Sequence, residues 1–296
     1  EYGKKCDYDK VAESWELSCH KDGPSVVADG EYKGLTLNEY IEKAGKGVLG
    51  KNCERFENFP ILIKLIDAKD NLSVQVHPDN DYAMRVEGEY GKTEMWYVVD
   101  CDEGATLLYG FKHEITKEEF ARRIADNTLL EVTNAVPVKK GDVFFIKSGT
   151  LHAIGKGILI AEIQQNSNTT YRIYDYGRVG KDGKPRELHV NKALDVTKLA
   201  PAEQYPETPV EKQDGYDIKL LSKCEYFTTY RVNVETKAEL DADENSFNSI
   251  LVLEGEPVIS GGETVSAKKG ESVFISAGTG KYTVEGKCTF VLTKID

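Results

Sequence analysis

A stretch of fourteen residues occurs twice in this chain, and that recurrence constrains the fold more than any other feature. Lys139-Lys140-Gly141-Asp142-Val143-Phe144-Phe145-Ile146-Lys147-Ser148-Gly149-Thr150-Leu151-His152 aligns almost position for position with Lys268-Lys269-Gly270-Glu271-Ser272-Val273-Phe274-Ile275-Ser276-Ala277-Gly278-Thr279-Gly280-Lys281. Upstream of each copy stands an apolar run of strand character, Glu94-Met95-Trp96-Tyr97-Val98-Val99-Asp100 in one case and Asn248-Ser249-Ile250-Leu251-Val252-Leu253-Glu254 in the other. Such self-similarity means that one supersecondary unit is built twice. Short strands with turn signals between them favour a barrel or sandwich over a parallel α/β sheet, so the expected fold is mainly β. The copies differ where chemistry would sit: His152 becomes Lys281 and Glu94 becomes Asn248, so only the first unit keeps potential metal ligands. The expected organisation is a catalytic unit over 1–194 with a helical insertion near 114–131, an exposed linker over 195–214 rich in Pro, Glu and Lys, and a second, degenerate unit over 215–296.

Two further runs complete a ligand set. In Val74-Gln75-Val76-His77 the side chains alternate faces, so Gln75 and His77 point one way and the valines the other. Glu94 opens the next β-rich run, and the stretch 72–99 is expected to bring Gln75, His77 and Glu94 together in one hairpin. His152 arrives from a later strand behind a Gly-rich turn. Two imidazoles, a carboxylate and an amide oxygen suit a borderline divalent ion such as Zn²⁺, one per chain, with a position left for water or substrate. Either histidine alone would more often be an ordinary hydrogen-bonded side chain; the four residues together point to a metal. His20, His113 and His189 have no such company and are given no place in the site.

The formal net charge of −12 excludes nucleic acid and anionic membranes as natural partners, since both need a basic footprint. A few local cations can still hold a phosphate inside a cleft. The six cysteines, Cys6, Cys19, Cys53, Cys101, Cys224 and Cys288, show neither a C-x-x-C pair nor a compact disulfide framework, which fits reduced thiols in a cytoplasmic protein that serve as small hydrophobes. No apolar run approaches the roughly 18 residues of a membrane span, and no signal-peptide pattern opens the chain. With Glu1 in place of Met at its start, the numbered chain is expected to lack its natural beginning.

Local signals place the remaining elements. Glu13 to His20 alternates as a strand. Thr36-x-x-Glu39 is a capping box that opens a helix over 37–45, and Thr116-x-x-Glu119 is a second that opens a helix through Phe120, Ala121 and Ile124. Phe59 to Ala68 is a strongly apolar strand in which Lys64 is either a snorkelling edge residue or an inward cation. Asp79 caps a short helix through Tyr82, Ala83 and Met84.

Gly141-x5-Lys147-x-Gly149-x2-His152 resembles the second motif of cupins, Gly-x5-Pro-x-Gly-x2-His, with lysine in place of proline. The first motif departs from the cupin pattern, with Gln75 in place of a histidine and about 16 residues between His77 and Glu94. That departure is itself a signature: Ile63 to Ala68, Leu72 to Pro78, Gly91 to Trp96 and Asn168 to Tyr176 together resemble type I mannose-6-phosphate isomerase in its short bacterial form. The resemblance spans nearly the whole chain. It implies two cupin-like units, Zn²⁺ held by Gln75, His77, Glu94 and His152, and Arg172 as the active-site arginine, with Lys92 and Glu162 lining the site. It also implies a short strand before Glu1, and Asn168 stands where many relatives have aspartate, which removes an acid/base role from that position.

The implied reaction interconverts mannose 6-phosphate and fructose 6-phosphate through a metal-stabilised cis-enediol(ate), moving a proton between C1 and C2. The proton carrier stays open. Glu162, an acid on an apolar strand, would have its pKa raised by burial, and Lys92 lies two residues from a ligand; the plainer alternatives are a cross-barrel salt bridge and an exposed turn lysine. The guanidinium fork of Arg172 suits an oxyanion or phosphate. Lys184 and Arg186, in the loop Gly180 to Arg186, are candidates to meet the substrate phosphate, although solvated charge is the usual explanation of such a loop. Competing functions are an iron-dependent cupin oxidoreductase, since His, Glu and His also hold Fe²⁺, and a non-catalytic sugar-binding cupin. The oligomeric state is not legible.

Overall fold

The computed structural model describes residue 4, residues 11–180 and residues 183–296. Cys6, Lys181 and Asp182 lie outside the described residues. The fold is mainly β, and the chain divides into two compact units: one gathers Glu1–Leu65 with Pro206–Asp296, and the other is Ile66–Tyr205.

Among the described residues the first elements are strand β1 (Glu13–Leu17), helix α1 (Leu37–Ala44) and strand β2 (Ile61–Ala68). The capping box forms as the spacing predicts. The Thr36 hydroxyl accepts from Glu39 N at 3.3 Å, and the Glu39 carboxylate accepts from Thr36 N at 2.7 Å, so two of the helix's orphan donors are satisfied reciprocally. Leu37 and Ile41 supply its buried face. His20 is buried; its Nδ1 accepts from Asp22 N at 3.2 Å, and its ring meets Trp15 edge-on. Lys64 is buried with Nζ 4.9 Å from the Trp15 ring centroid and 3.9 Å from Glu13 Oε2.

The unit Ile66–Tyr205 continues with β3 (Val74–Val76), α2 (Asn80–Val86), β4 (Glu94–Cys101), β5 (Thr106–Phe111), α3 (Lys117–Ala125), β6 (Thr133–Pro137), β7 (Val143–Ile146), β8 (His152–Ala153), β9 (Ile158–Gln165), β10 (Tyr171–Tyr174) and α4 (Val190–Val196). Strands β9, β4 and β7 are neighbours in one sheet, and β10, β3, β8, β5 and β6 form another. The expected hairpin over 72–99 is therefore not formed. β3 and β4 belong to different sheets, because α2 and the glycine-bearing turn behind it carry the chain from one layer to the other. Helix α2 starts at Asp79, whose side chain accepts from Tyr82 N. Helix α3 keeps only half of its capping box: the Thr116 hydroxyl accepts from Glu119 N, while Glu119 accepts from Arg123 Nε at 2.8 Å, one turn on. Phe120 of α3 is fully buried with Phe111, Ile115 and Leu129 in one apolar cluster; a second gathers Trp96, Val98, Leu107, Ile146 and Ile160.

The remaining strands are β11 (Val210–Gln213), β12 (Tyr216–Lys223), β13 (Thr228–Val234), β14 (Lys237–Ala242), β15 (Asn248–Gly255), β16 (Val258–Gly261), β17 (Glu263–Ser266), β18 (Ser272–Ile275), β19 (Gly280–Glu285) and β20 (Cys288–Lys294). They form the sheets β11-β12-β13-β20-β15-β18 and β14-β19-β16-β17 around a core that includes Ile250, Val252, Tyr282 and Phe290. Residues 195–214 divide between the units: Tyr205 packs its ring 5.2 Å from that of Phe145, whereas β11 pairs with β12.

The sequence repeat is a structural repeat down to its register. Glu94 pairs with Ile146 as Asn248 pairs with Ile275, and a bulge falls between Val98 and Asp100 in β4 as between Val252 and Glu254 in β15. Even the turns agree, since Asp142 accepts from Lys139 N as Glu271 accepts from Lys268 N.

Thr36→Ala removes the α1 cap and is expected to destabilise the protein by about 1 kcal/mol, whereas an exposed Ser or Thr outside any cap should tolerate the change within about 0.5 kcal/mol. Urea unfolding of both variants checks this difference.

Candidate metal centre

Two rows of side chains line the interior of the unit Ile66–Tyr205. On one sheet Arg172, Gln75 and His152 are register partners across β10, β3 and β8. On the other, Ile146, Glu94 and Gln164 are partners across β7, β4 and β9. Cross-strand partners project to the same face, so each row acts as one wall. The walls meet at His152, whose Nε2 lies 3.4 Å from Glu94 Oε1, and at His77, whose Nε2 lies 3.5 Å from Glu94 Oε2. The two Nε2 atoms are 3.1 Å apart. One atom from each of His77, Glu94 and His152 falls within 4.8 Å of the others, and all three residues are buried.

The backbone decides the tautomers. His77 Nδ1 lies 3.0 Å from the Thr169 carbonyl oxygen and His152 Nδ1 lies 2.8 Å from that of Thr150. A carbonyl only accepts, so each Nδ1 carries the proton and each Nε2 presents a lone pair. Two lone pairs and a carboxylate thus converge in a buried interior, an arrangement suited to a cation. The nitrogen and oxygen donors fit a borderline divalent ion, and the carbonyl partners of the two histidines are the orienting contacts that metal-binding imidazoles use. Gln75 points its amide at the same place, with Nε2 3.3 Å from His152 Nε2; rotating the nearly isosteric amide brings its oxygen there instead. Burial pushes the His152 pKa down to about 4, with the Thr150 hydrogen bond and Glu162 opposing and the Lys92 charge assisting, so this imidazole stays neutral at physiological pH.

Lys92 is buried, with Nζ 3.4 Å from Glu94 Oε2, which separates it from an ordinary turn lysine. It reaches that position because Gly91 passes against the backbone of Asp79, where a Cβ would sit 2.4 Å from the Asp79 carbonyl carbon. Glu162 is buried two residues before Gln164 on the same strand, and accepts from Trp96 Nε1 at 2.8 Å. Trp96 in turn stands edge-on to His152 with ring centroids 5.2 Å apart.

Arg172 is half-buried. Its Nη1 donates to the Glu187 carbonyl at 3.1 Å and its Nε to Ser73 Oγ at 3.4 Å. Its backbone N donates to Nδ1 of His189, a residue to which the sequence pattern assigns no part. Arg186 is held by Asp175 through Nε at 2.7 Å and Nη2 at 2.6 Å, and Arg178 donates to the same carboxylate. Burial pushes the Asp175 carboxyl up, but the hydrogen bonds of Arg186 and Arg178 outweigh it and leave the pKa below its ordinary value. Burial first, and then the Arg186 charge, lowers the pKa of Arg172. Lys184 is exposed, and its carbonyl accepts from Gly180 N. Asp175 was legible only as one acid inside an aromatic run; its role in joining two arginines needs coordinates.

Comparison with known proteins points one way. Residues 5–104 match the family described as the phosphomannose isomerase type I catalytic domain, and residues 217–295 match the mannose-6-phosphate isomerase cupin domain. The chain is 38% identical over its whole length to the mannose-6-phosphate isomerase ManA of Bacillus subtilis, covering 93% of that protein. It is 38% identical over 93% of its length to the mannose-6-phosphate isomerase of Streptococcus mutans, covering 85% of it. The crystal structure of the mannose 6-phosphate isomerase from Bacillus subtilis superposes with a TM-score of 0.92 at 37% identity, over 99% of this chain and 92% of that one.

Asp175→Asn is expected to destabilise the protein by about 1 kcal/mol at pH 7, a figure discounted because the Arg178 and Arg186 side chains are 33% and 47% exposed. Folding depresses the Asp175 pKa, so its contribution is present above the unfolded value of about 3.9 and is lost as pH falls through the folded one. Unfolding curves of both proteins at pH 7 and at progressively lower pH should show the gap closing below about pH 4.

Proposed function

Because the chain belongs to the type I mannose-6-phosphate isomerase family, we propose that it interconverts mannose 6-phosphate and fructose 6-phosphate at a single Zn²⁺ held by His77, Glu94 and His152 with Gln75. The observation that carries the assignment is the convergence of two imidazole lone pairs, each fixed by a backbone carbonyl behind it, on the Glu94 carboxylate. When bound there, Zn²⁺ supplies Lewis-acid polarisation of the carbonyl and adjacent hydroxyl oxygens of the open-chain sugar.

The protein supplies the rest. Isomerisation takes the proton from C2 of the aldose and returns it to C1, while a hydroxyl proton passes from O2 to O1. One side chain on one face of the sugar can carry the carbon-bound proton in both directions. Lys92 and Glu162 are the titratable groups placed for it: both are buried, one beside Glu94 and the other on the adjacent strand behind Trp96. Arg172, register partner of Gln75, sets a guanidinium next to the oxygen that gathers charge as the proton leaves. Lys184 and Arg186 meet the phosphate, with Arg186 oriented by the Asp175 carboxylate. The buried walls limit competition from water for the proton in transit.

Two measurements test this. Dialysis against a chelator is expected to abolish turnover of mannose 6-phosphate and Zn²⁺ to restore it; full activity in metal-free protein would rule the assignment out. Arg172→Ala is expected to lower kcat/KM by roughly 100-fold or more with zinc content unchanged, whereas a purely sugar-binding protein would have no turnover to lose.

A further inference from the structure

The interior of the same unit holds a polar group that the chemistry above does not use. Gln164 is fully buried near the end of β9 and is the register partner of Glu94, so its side chain projects from the same wall as the carboxylate. The chain fixes which way round the amide sits. Nε2 donates to the carbonyl oxygens of Gln165 at 2.7 Å and Ser167 at 2.6 Å. Carbonyls cannot donate, so the flipped amide would set an oxygen against two oxygens, and Oε1 is held on the side away from both. That oxygen is buried and has no hydrogen-bond partner among the described residues.

We propose that Gln164 Oε1 accepts a hydrogen bond from a hydroxyl of the bound phosphohexose, which makes Gln164 a positioning residue that reads one hydroxyl of the sugar. A buried acceptor left open costs free energy, and a group that completes it is favoured over one that does not. The site offers the right company for a hydroxyl: the candidate cation ligands gather at Glu94 and the two histidines, and a neutral amide oxygen on the Glu94 wall suits an uncharged O–H. A site built to bond a hydroxyl rejects the analogue that lacks it, because the protein group is then stranded. The inference rests on the isomerase assignment and adds the residue that selects among sugar phosphates.

The test compares zinc-loaded wild type with Gln164→Met, which keeps the side-chain length but removes both amide groups. Binding is measured for mannose 6-phosphate and for its 2-, 3- and 4-deoxy analogues as competitive inhibitors. Wild type is expected to bind at least one of the three at least tenfold more weakly than the parent sugar, and the variant to lose that discrimination at one position while keeping whatever wild type shows at the other two, with zinc content unchanged. Equal weakening of every sugar would reduce Gln164 to an anchor for residues 165–167 and overturn the proposal. So would loss of zinc in proportion to the loss of binding, which would make the amide a metal ligand, or a variant with wild-type kcat/KM. Should the variant fail to fold, the wild-type series still decides: three analogues within twofold of the parent sugar overturn the inference. Absence of mannose 6-phosphate turnover in wild type would instead overturn the isomerase assignment itself, so the two failures are distinct.

Discussion

The site depends on two hydrogen bonds that never touch a substrate. By drawing the Nδ1 protons of His77 and His152 onto the carbonyls of Thr169 and Thr150, the backbone forces both lone pairs toward one point next to Glu94. Without that anchoring, a neutral imidazole could turn its N–H toward the carboxylate and satisfy it from within the protein, and the cluster would close as an ordinary polar network. With it, two imidazole lone pairs and a carboxylate converge, a donor set that suits a divalent cation. Folding and chemistry are linked there: the carbonyls are fixed only because β8 and the segment before β10 are fixed, so the tautomers are set by tertiary structure.

Bringing the groups together takes two sheets. Gln75 and His152 come from one wall and Glu94 from the other, and the gap between walls is spanned by side chains rather than by main-chain bonds. This explains the long separation between His77 and Glu94. A tight turn between them would have paired β3 with β4 in one sheet; α2 and the close passage of Gly91 over Asp79 let the chain change layers and deliver Lys92 and Glu94 facing inward.

What the sequence revealed follows from how local each signal is. The alternation that sets Gln75 and His77 on one face is a property of any strand, and the Thr36 capping box involves atoms three residues apart, so both were legible. The Thr116 box was half legible, because Glu119 is equally well placed for Arg123 one turn later, and only the energies of the competing bonds decide. The layer change between β3 and β4 was not legible: nothing in either strand encodes its neighbour, and the short spacing suggested pairing. Nor was the burial of Lys92, whose surroundings are made by residues distant in sequence. The orientation of Gln164 was hidden for a related reason, since it is set by carbonyls that curl back only because the chain turns at Ser167.

The second unit shows what this scaffold becomes when its donors are used up internally. It keeps the strand register, the bulge and the turn of the first, yet at the position of Glu94 it carries Asn248, which donates to the Asp241 carbonyl and to the Tyr282 hydroxyl, both at 2.9 Å. Each of those bonds consumes an amide proton against an acceptor already inside the fold, so the group is satisfied without any ion. A buried carboxylate at that position would face the Asp241 carbonyl, which only accepts, and would lose the bond the amide makes there. With Asn at that position and Lys281 at the position of His152, the second copy keeps the strand frame while its polar group is hydrogen-bonded within the fold. The repeat thus separates two properties that share one frame: an apolar core fills both copies, and the group able to hold a cation stands in one of them.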